Sequence, residues 1–363
     1  MHILLFGGSF DPPHRGHTRM LRAALEFLRP DRAYVLPAHH APLKTAASAS
    51  AAERLEMCRL ALREALPAKL RRRVSVSSFE ALRHKTTYTC ETLAHFAGLH
   101  PGAALHLLIG SDSLERFHRW RRPAEVLSLS RLAVGRRPGH TAQTDWKLRS
   151  HVDWLPGLFP DISSTEIRAQ LMAGKDVAPL LAKTVFRRVL SSGLYGVPLH
   201  RWLTRVLRPK RRVHSIAVAK MALKLARRHG LDIEKAALAG LLHDCGRIRV
   251  DRPRSRFLRH GHLGSEIARR DLGVRDAEVL DAIRNHVLGD PRMGELARLV
   301  YVADTCSADR RFPEAAAIRR AALRSLDKGL KAAVQVKLQY VLADEKRLHP
   351  AGVALWNSIV DRR

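Results

Sequence analysis

Cysteine is scarce in these 363 residues: four, at Cys58, Cys90, Cys245 and Cys306, with no C-x-x-C pair. That argues against a disulfide-stapled fold and a thiolate zinc site, and predicts a reducing, cytoplasmic setting. Aromatic residues are few as well, at 6%, and none form the aromatic-basic strips that stack single strands. No apolar run approaches the ~20 residues of a membrane span. The opening Met1–Phe6 runs into a Gly-Gly turn without a signal-peptide core, so no membrane partner is expected. Acidic residues number 34 against 64 basic ones, for a net charge of +30, shared as +13 up to Pro198 and +17 beyond. Such a field draws anionic small substrates. A basic RNA-associated protein is the alternative that charge alone leaves open, but no specific nucleic acid is expected.

What is present is 46% hydrophobic residues, ample for cores, on a chain about twice a typical domain. The first half alternates short apolar runs (His2–Phe6, Ala33–Pro37, Leu105–Gly110, Arg131–Gly135, with Val74–Ser77) and helical patterns. Ala51–Leu66 is one such pattern, opened by a Ser50-x-x-Glu53 capping box. Alternation of this kind predicts an α/β Rossmann-like parallel sheet covered on both faces. Gly196–Val213 carries Arg201, Arg205, Arg208, Lys210, Arg211 and Arg212 without an acid, and residues 198–211 read as a basic linker. Beyond them helical periodicity alone remains, predicting an all-α bundle.

Two stretches of the first half suggest a phosphate site. Gly7-Gly-Ser-Phe-Asp-Pro-Pro-His-Arg-Gly-His17 follows strand one and leads into the stripe His17, Met20, Leu21, Ala24, Leu28. Glycines permit close backbone approach, and His14 and His17 fall at a helix N-terminus, where open N–H groups favour anions. Ile162-Ser-Ser-Thr-Glu-Ile-Arg168 has capping-box spacing between Ser163 and Glu166. Its hydroxyls, N–H groups and Arg168 can converge on a polyphosphate.

Together these motifs resemble the H-x-G-H nucleotidylyltransferase superfamily, and more narrowly bacterial nicotinate-nucleotide adenylyltransferase. The narrower resemblance rests on Gly8-Ser-Phe-Asp-Pro, Thr87-Tyr-Thr-x-x-Thr92, Ile109-Gly-Ser-Asp-Ser-Leu with Phe117 and Trp120, and Ser192-Gly-Leu-Tyr195. It covers residues 1–197. The resemblance implies adenylyl transfer from ATP, with Mg²⁺, to nicotinate mononucleotide. It implies that Gly8, Ser9, Phe10 and Lys44 line the ATP site and that His14 and His17 hold the phosphates. Ser164, Thr165 and Arg168 would grip pyrophosphate, and Thr89, Asp112 and Trp120 would form the pyridine-nucleotide pocket. In the loop after strand two this chain has Ala41-Pro-Leu-Lys44 where the family usually has Pro-Pro-His-Lys, so Leu43 replaces a histidine.

In the second half, His214, His243-Asp244, His286 and Asp304 each fall on the apolar face of a helical pattern. Unpaired polar groups toward a core are costly, so several from different helices point to a divalent transition metal (Fe, Mn, Co or Zn). Gly246 is placed to end the helix so that the adjacent His243 and Asp244 reach one ion. The order resembles the HD-domain metallophosphohydrolases. His260-Gly-His-Leu-Gly264, Asn285-His286-Val-Leu-Gly289 and Tyr301-Val-Ala-Asp304 with Arg310 are similar to a subfamily that splits diadenosine tetraphosphate into two ADP. This resemblance covers residues 212–345 and leaves 346–363 as a C-terminal extension. It implies His214, His243, Asp244 and Asp304 as first-metal ligands, and His260 and His286 for a second metal or the phosphates. Arg247 stands where that family commonly has lysine, and would act with Asp244 in catalysis. The implied partners are ATP, nicotinate mononucleotide and a dinucleoside polyphosphate. A nucleotide-sensing, non-catalytic HD module is the alternative for the second half.

Overall fold

The computed structural model describes residues 1–39, 49–83, 85–140, 146–249 and 258–361. They fall into two compact units, Met1–Ile167 with Val177–Leu194, and Arg168–Asp176 with Tyr195–Arg363.

The first unit is a six-stranded sheet of β1 (His2–Gly8), β2 (Arg32–Pro37), β3 (Val74–Val76), β4 (Ala104–Gly110), β5 (Arg131–Arg136) and β6 (Val152–Leu158). Its strand order is β3-β2-β1-β4-β5-β6, and all pairs are parallel. The period of two sends alternate residues to opposite faces. Leu4 and Phe6 face helices Arg15–Leu28 and Ala51–Ala65 through Met20, Leu21, Cys58 and Leu62. Ile3 and Leu5 face helices Thr89–Leu99 and Pro123–Leu129 through Leu93, Phe96 and Val126. β1 is bonded to both β2 and β4, so the strand order reverses there. In open α/β sheets the crevice at the carboxyl ends of such a pair is where ligands bind.

The five expected strands and the Ser50–Glu53 capping box are all present. β6 carries no comparable signal. It contains Pro156 and Gly157, lies at the sheet edge and shifts register against β5 between Val134 and Arg136, which is where a strand tolerates proline.

The second unit is helical. Helices Pro209–His229, Ile233–Leu242, His260–Arg270, Ala277–Asn285, Glu295–Cys306 and Leu326–Ala343 share a core that includes Val218, Leu242, Ile267, Ile283, Val300 and Val334. Two expectations need correction. Residues 198–211 are not a linker outside the cores: they form helix Val197–Val206 and the start of the next helix. Leu203 and Leu207 are buried with Ala169, Ala173, Ala219 and Leu241. Arg201 and Arg205 lie on the exposed side of a helix whose other side is Leu199, Trp202, Leu203 and Val206, so these two arginines form the wet face of an amphipathic helix. The C-terminal stretch likewise holds helix Pro350–Val360, whose Leu355 is buried in the main core. Among the described residues no helix is long and apolar enough to cross a membrane. All four cysteines are buried and free.

Candidate functional sites

At the switch point of the first unit, helix Arg15–Leu28 begins with a reciprocal cap. The His14 ring accepts from the His17 backbone N–H at 3.4 Å, and the His14 N–H donates to His17 Nδ1 at 3.1 Å. The two rings stack with centroids 3.5 Å apart, His14 buried and His17 partly open. Both histidines are therefore brought together at the anion-favouring end of the helix. Phe10 lies in the left-handed region at φ 48, and its ring is buried against Phe6 and His17. It anchors the turn by that buried ring. The turn is also held by Arg54, which the motifs do not mark. This fully buried guanidinium donates to the carbonyls of Ser9 (3.0 Å), Ala38, His39 and Ala49. The available signal was its place on the same helical stripe as Cys58 and Ala61. Lys44 lies outside the described residues.

The second phosphate motif starts helix Ser164–Met172, with Ser163 Oγ accepting from the Glu166 N–H at 3.1 Å. Ser164 Oγ donates to the Pro12 carbonyl at 2.9 Å, which ties this helix start to the His14 turn. Its hydroxyl is thus engaged in joining the two motifs, while Thr165 is exposed. Arg168 lies one turn further along the same helix. It belongs to the second unit, and its guanidinium forms a bidentate pair with Glu234 at 2.8 and 2.6 Å.

Across the switch point, Asp112 lies in the first turn after β4. Its Oδ1 is 3.5 Å from Arg137 Nε. Both atoms are buried without a hydrogen-bond partner, as is Thr87 Oγ1. A side chain at Gly110 would meet Asp112 Oδ1 at 2.3 Å, so only glycine permits this approach. Buried polar atoms without a hydrogen bond are costly, which makes Asp112, Arg137 and Thr87 candidates to meet a polar ligand. Thr89 opens its helix, and Trp120 is half-buried with its ring 5.2 Å from that of Phe117. Arg121 lies 4.6 Å over the Tyr88 ring, which sets the Trp120 segment against the start of the Thr89 helix. Behind them Glu80 is buried and accepts from Thr92 Oγ1 at 2.8 Å. Burial pushes its carboxyl up to about 7, against the pull of Thr92 and Arg83.

The second unit gathers every metal-ligand residue expected from the sequence. Donor atoms of His214, His243 and Asp244 lie within 4.8 Å of one another, as do those of Asp244, His260 and His286, so Asp244 belongs to both groups. Asp304 closes on the first group, its Oδ1 at 3.0 Å from His214 Nε2 and 3.8 Å from His243 Nε2. Asp244 Oδ1 is 3.1 Å from His260 Nε2 and 3.6 Å from His286 Nε2, and those two nitrogens are 3.0 Å apart.

Three of the rings are oriented from behind. His243 Nδ1 donates to Gly240 O and His286 Nδ1 to Ile283 O, both at 2.8 Å, and His214 Nδ1 donates to Asp309 at 2.7 Å. Such outer bonds aim Nε2 of each ring at the carboxylates. Burial pushes His243 down to about 3, so the ring is neutral, and its buried Nε2 has no hydrogen-bond partner. Burial alone would raise Asp244, but the bonds from His260 and His286 and the Arg247 guanidinium hold it well below the usual carboxylate range. Asp304 is held low in the same way, by His214, Lys337 and Arg310. Imidazoles together with ionised carboxylates fit a divalent transition ion.

Helix Ile233–Leu242 stops one residue before His243, as the paired ligands require. Gly246 serves a different purpose from the expected helix end. A Cβ there would lie 2.0 Å from His260 O and 2.6 Å from Gly264 N, so glycine lets the segment press against helix His260–Arg270. Cations ring the site: Arg247 Nε 2.7 Å from Asp244 Oδ1, Arg211 Nη1 3.3 Å from Asp244 Oδ2, and Arg310 on Asp304 Oδ1. Arg211, Asp309 and Lys337 were missed from sequence. Arg211 was legible as the residue one helical turn before His214, whereas Asp309 and Lys337 have no local signal.

A cytidylyltransferase-like family model matches residues 5–170, and the HD domain model matches residues 211–309. A Chlorobium luteolum protein named probable nicotinate-nucleotide adenylyltransferase is 36% identical over 195 residues, covering 54% of this chain and 98% of its own. A Mycoplasma genitalium protein named probable nicotinate-nucleotide adenylyltransferase/Ap4A hydrolase is 26% identical over 355 residues, 93% of this chain and 97% of its own. Its namesake in Mycoplasma pneumoniae is 29% identical over 359 residues, 94% and 100% of the two chains.

Proposed function

The chain belongs to the nicotinate-nucleotide adenylyltransferase family and carries an HD domain, and from that premise we propose a bifunctional enzyme. The first unit joins ATP to nicotinate mononucleotide. A phosphate oxygen of the mononucleotide attacks the α-phosphorus of ATP, and the bond to the β-phosphate bridging oxygen breaks. Deamido-NAD and pyrophosphate leave. No protein nucleophile is required, so alignment and charge stabilisation are the protein's whole contribution. His14 and His17 hold the phosphates at their helix start. Thr165 and the open N–H groups of the second helix start receive pyrophosphate, with Mg²⁺ travelling on ATP. Thr87, Thr89, Asp112 and Trp120 take the pyridine nucleotide. The observation that supports this reading best is the Ser164–Pro12 bond, which joins two anion-binding helix starts at the switch point. Assay of the purified chain with ATP and nicotinate mononucleotide, its amide or phosphopantetheine tests it. The acid should be turned over fastest, and equal turnover of phosphopantetheine would refute the assignment.

The HD unit hydrolyses diadenosine tetraphosphate to two ADP. Water adds to one inner phosphorus, the central P–O–P bond breaks, and the released ADP takes up a proton. Asp244, the His243 and His214 rings, and Asp304 would hold one divalent transition ion, and Asp244 with His260 and His286 a second. Such ions neutralise phosphate oxygens and activate water. Arg211, Arg247 and Arg310 supply positive charge for the polyphosphate chain. The partnerless buried Nε2 of His243 supports this reading best. Release of ADP that depends on added Mn²⁺, Co²⁺, Fe²⁺ or Zn²⁺ is expected. Metal uptake without cleavage would favour a nucleotide-sensing module instead.

A further inference from the structure

Lys337 lies on helix Leu326–Ala343, beyond the residues 211–309 that the HD model matches, yet its ammonium reaches the ligand cluster. Nζ donates to the His286 carbonyl at 3.1 Å, lies 3.6 Å from Asp304 Oδ2, and sits 3.7 Å over the Tyr301 ring. The ammonium thus faces a carbonyl, a carboxylate and, through a cation–π contact, an aromatic ring, all of them groups of the protein itself. The two Asp304 oxygens are thereby divided. Oδ2 faces Lys337, and Oδ1 faces His214 and His243.

We infer that Lys337 is a positioning residue for the metal centre. It holds Asp304 with Oδ2 turned aside, so that Oδ1 alone is offered to an ion. Through the His286 carbonyl it also fixes the backbone that carries a ligand of the other group. The inference rests on the metal-site reading above. Its sign is distinctive. Deleting a positive charge beside a cation site should by itself strengthen cation binding, so weakened binding reports lost orientation.

The test uses the full chain loaded with Co²⁺, comparing wild type, Lys337→Met and Lys337→Arg. Affinity is read by chelator competition, and coordination by the visible d–d absorption. Lys337→Met keeps the stem but removes charge and donors, and should weaken Co²⁺ binding about 10- to 100-fold with a changed d–d spectrum. Lys337→Arg should restore most of both, and adenylyl transfer should be unchanged in each, as a check on folding. Should Lys337→Met fail to fold, Lys337→Gln takes its place. Unchanged or tighter binding with a wild-type spectrum would overturn the inference, even if ADP release were lost. A wild type that takes up no cobalt would refute the metal site and the inference together.

Discussion

The candidate site of the first unit is made largely of backbone, and that of the second of titratable side chains. At the end of β1 the useful groups are helix-start N–H donors, two histidines that cap each other, and a turn held by Arg54. A site of that kind exists before any ligand arrives, and its loss on mutation should be local. In the second unit four histidines and two aspartates converge in a buried cluster, with arginines and a lysine as counter-ions. There the chemistry and the stability of the fold share the same residues, so a single deletion should disturb both.

Asp244→Ala should separate the two sites most sharply. Asp244 belongs to both ligand groups and is paired with Arg247 and Arg211. Its removal should abolish metal uptake by elemental analysis and lower ADP release by more than about 10³-fold. The stranded cations should cost about 3–5 kcal/mol in chemical unfolding. Adenylyl transfer should persist. Unchanged metal content would show that the ligand set is wrong.

His17→Ala is the mirror experiment. It removes the ring proposed to hold phosphate and one arm of a cap, so kcat/KM for adenylyl transfer should fall about 10²- to 10³-fold. Only ~1 kcal/mol of stability should go with the cap. If unfolding changed as much as in Asp244→Ala, the contrast between a backbone site and a side-chain site would collapse.

Asp309→Asn probes orientation rather than ligation. The carboxylate holds His214 Nδ1 at 2.7 Å, and weakening that bond should reduce metal affinity about tenfold, measured by chelator competition. An effect as large as that of Asp244→Ala would place Asp309 among the ligands.

The smallest effect concerns the one strongly perturbed carboxyl of the first unit. Burial raises Glu80 from its ordinary 4.5 to about 7, so the folded state holds a proton that the unfolded state has released. Stability from this group is complete below about 4.5 and is lost as pH rises through about 7, by at most about 3 kcal/mol. The melting temperature of wild type should therefore fall by several degrees more than that of Glu80→Gln between pH 5 and 8. Parallel curves would mean that Glu80 is ionised throughout.

Much of this was legible in the sequence because the relevant physics is local. Glycine turns, a Ser50–Glu53 cap and histidines at a helix start depend on neighbours within four residues, and all stand where the pattern puts them. The His243–Asp244 pair was equally visible, since adjacent ligands demand a helix end. The amphipathic helix Val197–Val206 was hidden by charge: its Arg201 and Arg205, with four basic residues just beyond it, drew attention from Leu203, whose burial depends on partners near residues 170, 220 and 240. β6 was hidden because an edge strand tolerates Pro156 and needs pairing from one side only.

Sequence alone determined the two-part plan, the parallel sheet, the helix starts that favour anions and which histidines and aspartates cluster in the second unit. Each of these follows from periodicity, capping chemistry or a cluster of residue types too costly to bury alone. Tertiary structure alone decided that Arg168 pairs with Glu234, that Arg54 is buried among carbonyls, and that Asp309 and Lys337 stand behind His214 and Asp304. The reason is one of range. A hydrogen bond or ion pair acts over about 3 Å in space, and the partners of these groups lie 66, 45, 95 and 33 residues away along the chain.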